Sequence, residues 1–384
     1  MIKSDLPFWD IPAGKTGPEM WSSKALGNKF QEMENIRLIL AGLGHVNRGL
    51  LKIIRDREKE IAERYGLRFK ITAVADSTGV AFNTNGFSPD QLLTLKANGD
   101  HVIHLPDYSS VLRTEDFAGT GIGDILIEST PANMEDGSPG LQAARAALRA
   151  GIPVVFANKA PLALAFDELH RLADMGAAEP YHTEEVGKSK IAYSATVCGG
   201  LPVINVLQRD LHLAHVRKFR GILNATTNYI LAALGKGGSF EEAVREAQRI
   251  GAAEADPSYD INGHDAANKL FIIAKTLGWP DGSVKKIKTK GIADISESDI
   301  QAAAGRNCLI KLVASAERQE AGWKLIVQPE EVRKDSFLGT CNGWEMGFEL
   351  ESDLYDRVCM KNYEADPLGT SAAVLRDIIN LMKN

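Results

Sequence analysis

Residues 36–49, IRLILAGLGHVNRG, constrain the fold more than any other stretch of this chain. Residues 36–42 form a short apolar run that reads as a buried strand ending in glycine. Residues 47–65 then carry helical periodicity with alternating charges on the outer face. Further apolar runs recur at 69–77 (FKITAVADS), 124–130 (DILIEST) and 151–159 (GIPVVFANK), the last two separated by an alanine-rich helix near 141–150. Strand and helix in alternation predict an α/β chain with a doubly wound parallel sheet.

The loop between the first strand and helix has a chemistry of its own. Gly42 and Gly44 supply the first two positions of a GxGxxG pattern, and Asn47 stands at the third. The first glycine permits a tight turn. The second lets backbone approach a pyrophosphate at the helix N-terminus, where His45 and Val46 lie. Asp76 ends the second strand. It serves either as the partner of a ribose 2′-hydroxyl, which leans towards NAD, or as the cap of its own ADSTG turn. Ser129 and Thr130 end the next strand at the carboxyl edge, where ligands collect in such sheets. These positions make NAD or NADP the expected cofactor.

Composition narrows the class. Acids outnumber bases, 50 to 44, among 384 residues, which weighs against a nucleic-acid partner. The four cysteines are far apart, without CxxC or zinc spacing, so a reduced, cytoplasmic setting and no metal are expected. The first residues lack the apolar run of a secretory signal, and no stretch approaches a membrane span.

The texture changes after Lys159. NCLIKLVASAER and WKLIVQPEEVR read as antiparallel neighbours, and helices are expected at FDELHRLADM, FEEAVREAQRIG and HDAANKLFIIAKTLGW. KIAYSATVCGG reads as a strand running into a glycine turn. Residues 253–269, AEADPSYDINGHDAANK, crowd Glu254, Asp256, Asp260 and Asp265 ahead of Lys269. Asp265 and Lys269 stand at i and i+4, on one face of a helix start. Spacing alone allows an ordinary exposed pair worth about 0.3–0.5 kcal/mol, or an acid that fixes the charge and position of a working lysine.

Several runs together decide the matter further. GLGHVNRGLL, STPANMEDGSPGL, ANKAPLALAF, ATVCGGLPVINVLQRD, FRGILNATTNYIL and the run from FEEAVREAQRIG to NKLFIIA fall in one order over residues 36–279. In these the chain resembles the homoserine dehydrogenases. The resemblance implies a Rossmann domain at 35–160 and an α+β substrate and dimerisation domain with its own sheet at 161–361. It also implies a C-terminal helix, within 362–384, returning to the first domain. Residues 1–34 are expected to be an extension, with no aspartate kinase or regulatory domain attached.

The implied reaction interconverts L-homoserine and L-aspartate 4-semialdehyde with NAD(P)H, in a homodimer without nucleic-acid or membrane partners. By resemblance Glu254 and Asp260 hold the substrate amino group, Thr226 adds a hydrogen bond, and Lys159 touches both cofactor and substrate. Lys269 exchanges the hydroxyl proton and Asp265 positions it. A lysine in a closing, partly dry site is expected to have its pKa lowered towards neutrality.

The chain departs from the family pattern at Asn47, at Ala225 within Asn224-Ala225-Thr226, and at Ser194, where relatives often carry an acid. It departs again at the return segment NYEADPLG, residues 362–369. Two rival readings follow: a related dehydrogenase of another small hydroxy or aldehyde substrate, and a cofactor sensor without turnover. Cys198 raises a third, a thiol nucleophile, for which no neighbouring histidine is evident.

Overall fold

A computed structural model of the protein describes residues 33–383, apart from 118–119, 176–189, 212, 250–252, 254–255, 281, 321 and 365. The stretch read as an N-terminal extension lies almost wholly outside these residues.

The first sheet contains β1 (Glu34–Ala41), β2 (Leu67–Asp76), β3 (Gly79–Phe87), β4 (Tyr108–Ser109), β5 (Ile125–Glu128), β6 (Val154–Phe156) and β7 (Ile191–Ala192). Their order is β4-β3-β2-β1-β5-β6-β7. β2, β1, β5, β6 and β7 are parallel, while β3 and β4 extend the edge in antiparallel pairs. The central strands read as continuous apolar runs because helices cover both faces. On one face, α1 (His45–Asp56), α2 (Glu58–Tyr65) and α3 (Pro89–Ala97) bury Leu50, Leu51, Ile61 and Leu92 against Leu38, Leu40, Ile125 and Ile127. On the other, α4 (Gly140–Arg149) and α5 (Ala160–Met175) bury Leu141, Leu148, Leu162 and Leu169 against Ile39, Leu126, Val154 and Phe156.

Two local expectations change. The helix expected over 47–65 breaks at Arg57 (φ −121°, ψ 19°). Beyond it Ile61 is the one buried side chain of α2, so little packing enforces a continuous helix. The strand expected in KIAYSATVCGG shortens to β7. Ser194 turns away because Asp377 accepts both its N–H (2.8 Å) and its hydroxyl (2.6 Å). β7 joins the first sheet from beyond residue 160, the end read for that domain.

The remaining helices are α6 (Val203–Asn205), α7 (Ala225–Leu234), α8 (Phe240–Arg249), α9 (Ser258–Ile261), α10 (His264–Thr276), α11 (Glu297–Gly305) and α12 (Leu368–Lys383). The second sheet contains β8 (Val216–Ile222), β9 (Lys288–Thr289), β10 (Cys308–Gln319), β11 (Gly322–Arg333), β12 (Glu345–Ser352) and β13 (Arg357–Tyr363), in the order β13-β12-β8-β10-β11-β9. β10 and β11 form the expected antiparallel pair, in register from Cys308↔Arg333 to Gln319↔Gly322. Phe219 and Phe348 stack across β8 and β12 at 5.7 Å. Leu270, Ile273 and Ala274 of α10 are buried in the same core as Leu312, Ala314 and Phe348, so α10 is anchored on this sheet.

α12 returns to the first sheet and crosses α1. The approach is close because Gly49 has no side chain: a Cβ there would lie 2.2 Å from Ser371 Oγ. That hydroxyl donates to Val46 O at 2.8 Å, at the end of the glycine loop. Gly49→Leu should therefore push α12 off α1 and destabilise the fold by about 1–3 kcal/mol, read as a lower denaturant midpoint.

Candidate active site

The glycine loop is built for close approach. Gly42 has φ +87°, and a Cβ there would lie 2.7 Å from Ser129 O. Gly44 is the N-cap of α1; no side chain caps the helix, and the space where its Cβ would sit is open. A helix start left uncapped and uncovered suits an anionic group. Asn47, at the third glycine position, is fully buried, and its amide donates to Gly42 O at 2.7 Å. The departure from glycine thus braces the loop.

Seven of the sequence-predicted residues line one of two openings, while Gly42, Gly44, Asp76, Thr226 and Asp260 line neither. Val46, Ser129, Thr130 and Lys159 line a cavity of about 300 Å³, together with Asp265 and Lys269. His45 opens on a groove of about 640 Å³ outside α1, beside Arg48 and Lys52. Asp76 ends β2 with a crowded carboxylate. One oxygen accepts from Thr78 N–H (2.9 Å) and hydroxyl (2.6 Å). The other meets Lys96 Nζ (2.6 Å), Val102 N–H (3.1 Å) and His101 Nδ1 (3.2 Å). Burial pushes this carboxyl up, but Lys96 and Thr78 outweigh it and hold it well below the usual range. Asp76 therefore caps its own turn, and a ribose hydroxyl there competes with donors already in place.

The carboxylate cluster gathers at the start of α10. Asp265 Oδ2 meets Lys269 Nζ at 2.8 Å, and Asp265 Oδ1 meets Lys159 Nζ at 3.1 Å. Asn224 donates to Asp265 Oδ2 at 2.8 Å and to Asp260 Oδ1 at 2.9 Å, while its own carbonyl caps α7 through Thr227 N–H. Lys269 also donates to Leu223 O at 2.8 Å. Thr226 is buried and hydrogen-bonds Asp260. Asp256 accepts from Ser258 N–H at 3.0 Å, as a turn former does. Glu254 lies outside the described residues.

The Asp265 side chain is 7% exposed. Burial pushes its carboxyl up, yet Lys269, Lys159 and the Asn224 amide pull it well below the ordinary carboxylate value. Asp260 is raised by burial and by its neighbour Asp265. Lys269 corrects an expectation. Burial lowers its pKa, but Asp265 more than compensates, so the amine stays a firmly held ammonium, above the usual lysine value. The carboxylates that the fold brings to the amine outweigh the dryness of its site.

Other lining residues were not singled out from the sequence: Asn158, Thr196 and Thr370. Tyr259 was also missed, its ring 5.7 Å from Lys159 Nζ. Asn224 carried a signal in NATTN, an asparagine three residues before a threonine at a helix start.

Against this geometry stand the relatives. The chain is 31% identical to homoserine dehydrogenase of Methanocaldococcus jannaschii over 90% of its length and 98% of the relative's. The chain belongs to the homoserine dehydrogenase family. An NAD(+)-dependent homoserine dehydrogenase of Pseudomonas canavaninivorans is 32% identical over 91% of this chain and 97% of its own. The homoserine dehydrogenase family model matches residues 202–379. Among solved structures, homoserine dehydrogenase of Thermoplasma acidophilum superposes with a TM-score of 0.76 at 26% identity, covering 91% of this chain and all of the other (100%). The family departure at Ala225 falls on the first residue of α7, where alanine fits a helix without strain.

Membership leaves Cys198 as the odd thiol of the cavity. It is buried, hydrogen-bonds Leu223 O at 3.6 Å, and its pKa is pushed up to about 12 by burial. A thiol so held is a poor nucleophile at neutral pH. Iodoacetamide at pH 7 should label the exposed Cys359 and spare Cys198, with activity retained. Peptide mapping that finds Cys198 modified first would reopen the nucleophile reading.

Proposed function

We infer that this chain interconverts L-homoserine and L-aspartate 4-semialdehyde, using NAD or NADP. The observation that carries the reading is the Asp265–Lys269 pair, joined to Lys159, in one cavity with the rim residues Ser129 and Thr130. The uncapped start of α1 and the open space at Gly44 fit a dinucleotide's phosphates. When bound, the nicotinamide gives or takes the hydride. The Pseudomonas canavaninivorans relative is named as NAD(+)-dependent.

The remaining work belongs to side chains. Asp260, with Glu254, offers negative charge to the substrate ammonium. Lys159 orients the reacting end at the rim. Lys269, as an ammonium, donates a proton to the oxygen as the aldehyde becomes an alkoxide. In the reverse direction it must first lose that proton. A substrate ammonium beside Asp260 adds positive charge to the pocket and loosens the grip of the acids on Lys269.

Two outcomes test this. Lys269→Ala should lower kcat by roughly 10²–10⁴-fold, with cofactor affinity retained; a near-normal kcat assigns the proton to another group. For wild type, kcat/KM of homoserine oxidation should rise about tenfold per pH unit between about pH 7 and 9, because the deprotonated fraction of a raised-pKa lysine grows with pH. Semialdehyde reduction should stay flat over that range, and a flat oxidation profile would rule Lys269 out as the base.

The return segment favours a second reading. Glu364 accepts from Gly200 N–H and from the Thr370 hydroxyl, each at 2.8 Å, in a segment where relatives are glycine-rich. A charged return beside the cavity suits a related hydroxy or aldehyde substrate. Purified protein that reduces NAD or NADP with homoserine excludes that alternative. The same resemblance carries a homodimer and a second-domain limit near 361, while β7 takes the first domain past residue 160; the far-apart cysteines favour a cytoplasmic setting.

A further inference from the structure

Glu128, the last residue of β5, is a fully buried acid on the α4 and α5 side of the sheet, and among the described residues no charged partner accounts for it. Its backbone carbonyl accepts from Ala157 N–H at 2.8 Å, tying the ends of β5 and β6 together. Its Oε1 accepts from Thr130 N–H (2.9 Å), from the Thr130 hydroxyl and from Asn158 Nδ2 (3.5 Å). Its Oε2 is buried without a hydrogen-bond partner among the described residues. The compartment is closed by Gly140 at the start of α4, where a Cβ would lie 2.5 Å from Oε1. Burial pushes the carboxyl up to about 7, with the Thr130 and Asn158 donors opposing.

Such a group is costly to keep, and what it holds are two residues of the cavity rim. A hydroxyl has one donor and two acceptor directions. With the Thr130 proton committed to Glu128 Oε1 and Asn158 Nδ2 at 3.4 Å from Thr130 Oγ1, one acceptor direction of Thr130 remains. We propose that Glu128 is a positioning residue for the cofactor: it fixes the Thr130 hydroxyl as an acceptor, matched to the amide N–H of a nicotinamide carboxamide. This rests on the reading of Thr130 as a cofactor contact.

An analogue separates the polarity effect from a structural one. The 3-acetylpyridine dinucleotide carries a methyl group where the carboxamide carries NH₂, so it has no donor for Thr130. Glu128→Leu should raise KM for NAD or NADP, and the equilibrium Kd of the reduced dinucleotide read from its fluorescence without substrate, about tenfold, the scale of one hydrogen bond misplaced in a buried site. KM for homoserine and for the acetylpyridine cofactor should stay within about twofold, and Glu128→Gln, which keeps an acceptor, within about threefold of wild type. Glu128→Met gives the same comparison if the leucine variant does not fold. Equal losses with both cofactors, or with neither, overturn the role of Glu128. Thr130→Val separates the two levels. If it leaves every KM unchanged, the cofactor contact itself fails. If it weakens only the carboxamide cofactor while Glu128→Leu is silent, the contact stands and Glu128 has no part in it.

Discussion

One buried carboxylate organises the site. Asp265 reaches Lys269 on its own helix and Lys159 from the rim of the other sheet, and it takes the Asn224 amide besides. Two lysines so near each other repel, and neither would sit in a largely dry cavity without the shared anion. Removing one partner of a buried ion pair typically costs about 3–5 kcal/mol, because the remaining charge is stranded. The same contact therefore ties the helix packed on the second sheet to the carboxyl edge of the first.

Much of this was legible in the chain. β1, β2, β5 and β6 are covered on both faces, so their residues form the unbroken apolar runs that read as buried strands. The i,i+4 spacing of Asp265 and Lys269 needed only helix geometry. β3 and β13 were harder. GVAFNTNGF is full of turn formers, and RVCMKNY has no fully buried position, so neither announces a strand. The Asn224 bridge was unreadable for another reason: it joins residues 36 and 41 positions apart, which only the fold brings together. Glu128 looks like any acid at a strand end until Gly140 and Asn158 are seen to enclose it.

The departures from the family pattern turn out to be compensated locally. Asn47 replaces a glycine and braces the loop through Gly42. Ser194 stands where relatives often have an acid, and α12 brings Asp377 to it, with Arg376 donating to the Ser194 hydroxyl at 3.0 Å. In the return segment, Glu364 draws the Gly199-Gly200 turn and Gly369 so close that a Cβ on Gly199 would lie 2.3 Å from its carboxylate. Ser194 and Glu364 are matched by polar contacts from distant parts of the chain and Asn47 by one five residues away, so these three substitutions are read better as pairs than singly.

The crossing of α1 and α12 has a consequence for biogenesis. Val46 and Ser371 are 325 positions apart. While the chain leaves the ribosome, the sheet's first helix can cover its strands early, but the apolar seat of Val374 and Ile378 stays open until the second sheet and α12 have been made. The first-sheet half thus cannot finish before the second sheet has been made, and a chaperone that shields this seat would act over that whole interval.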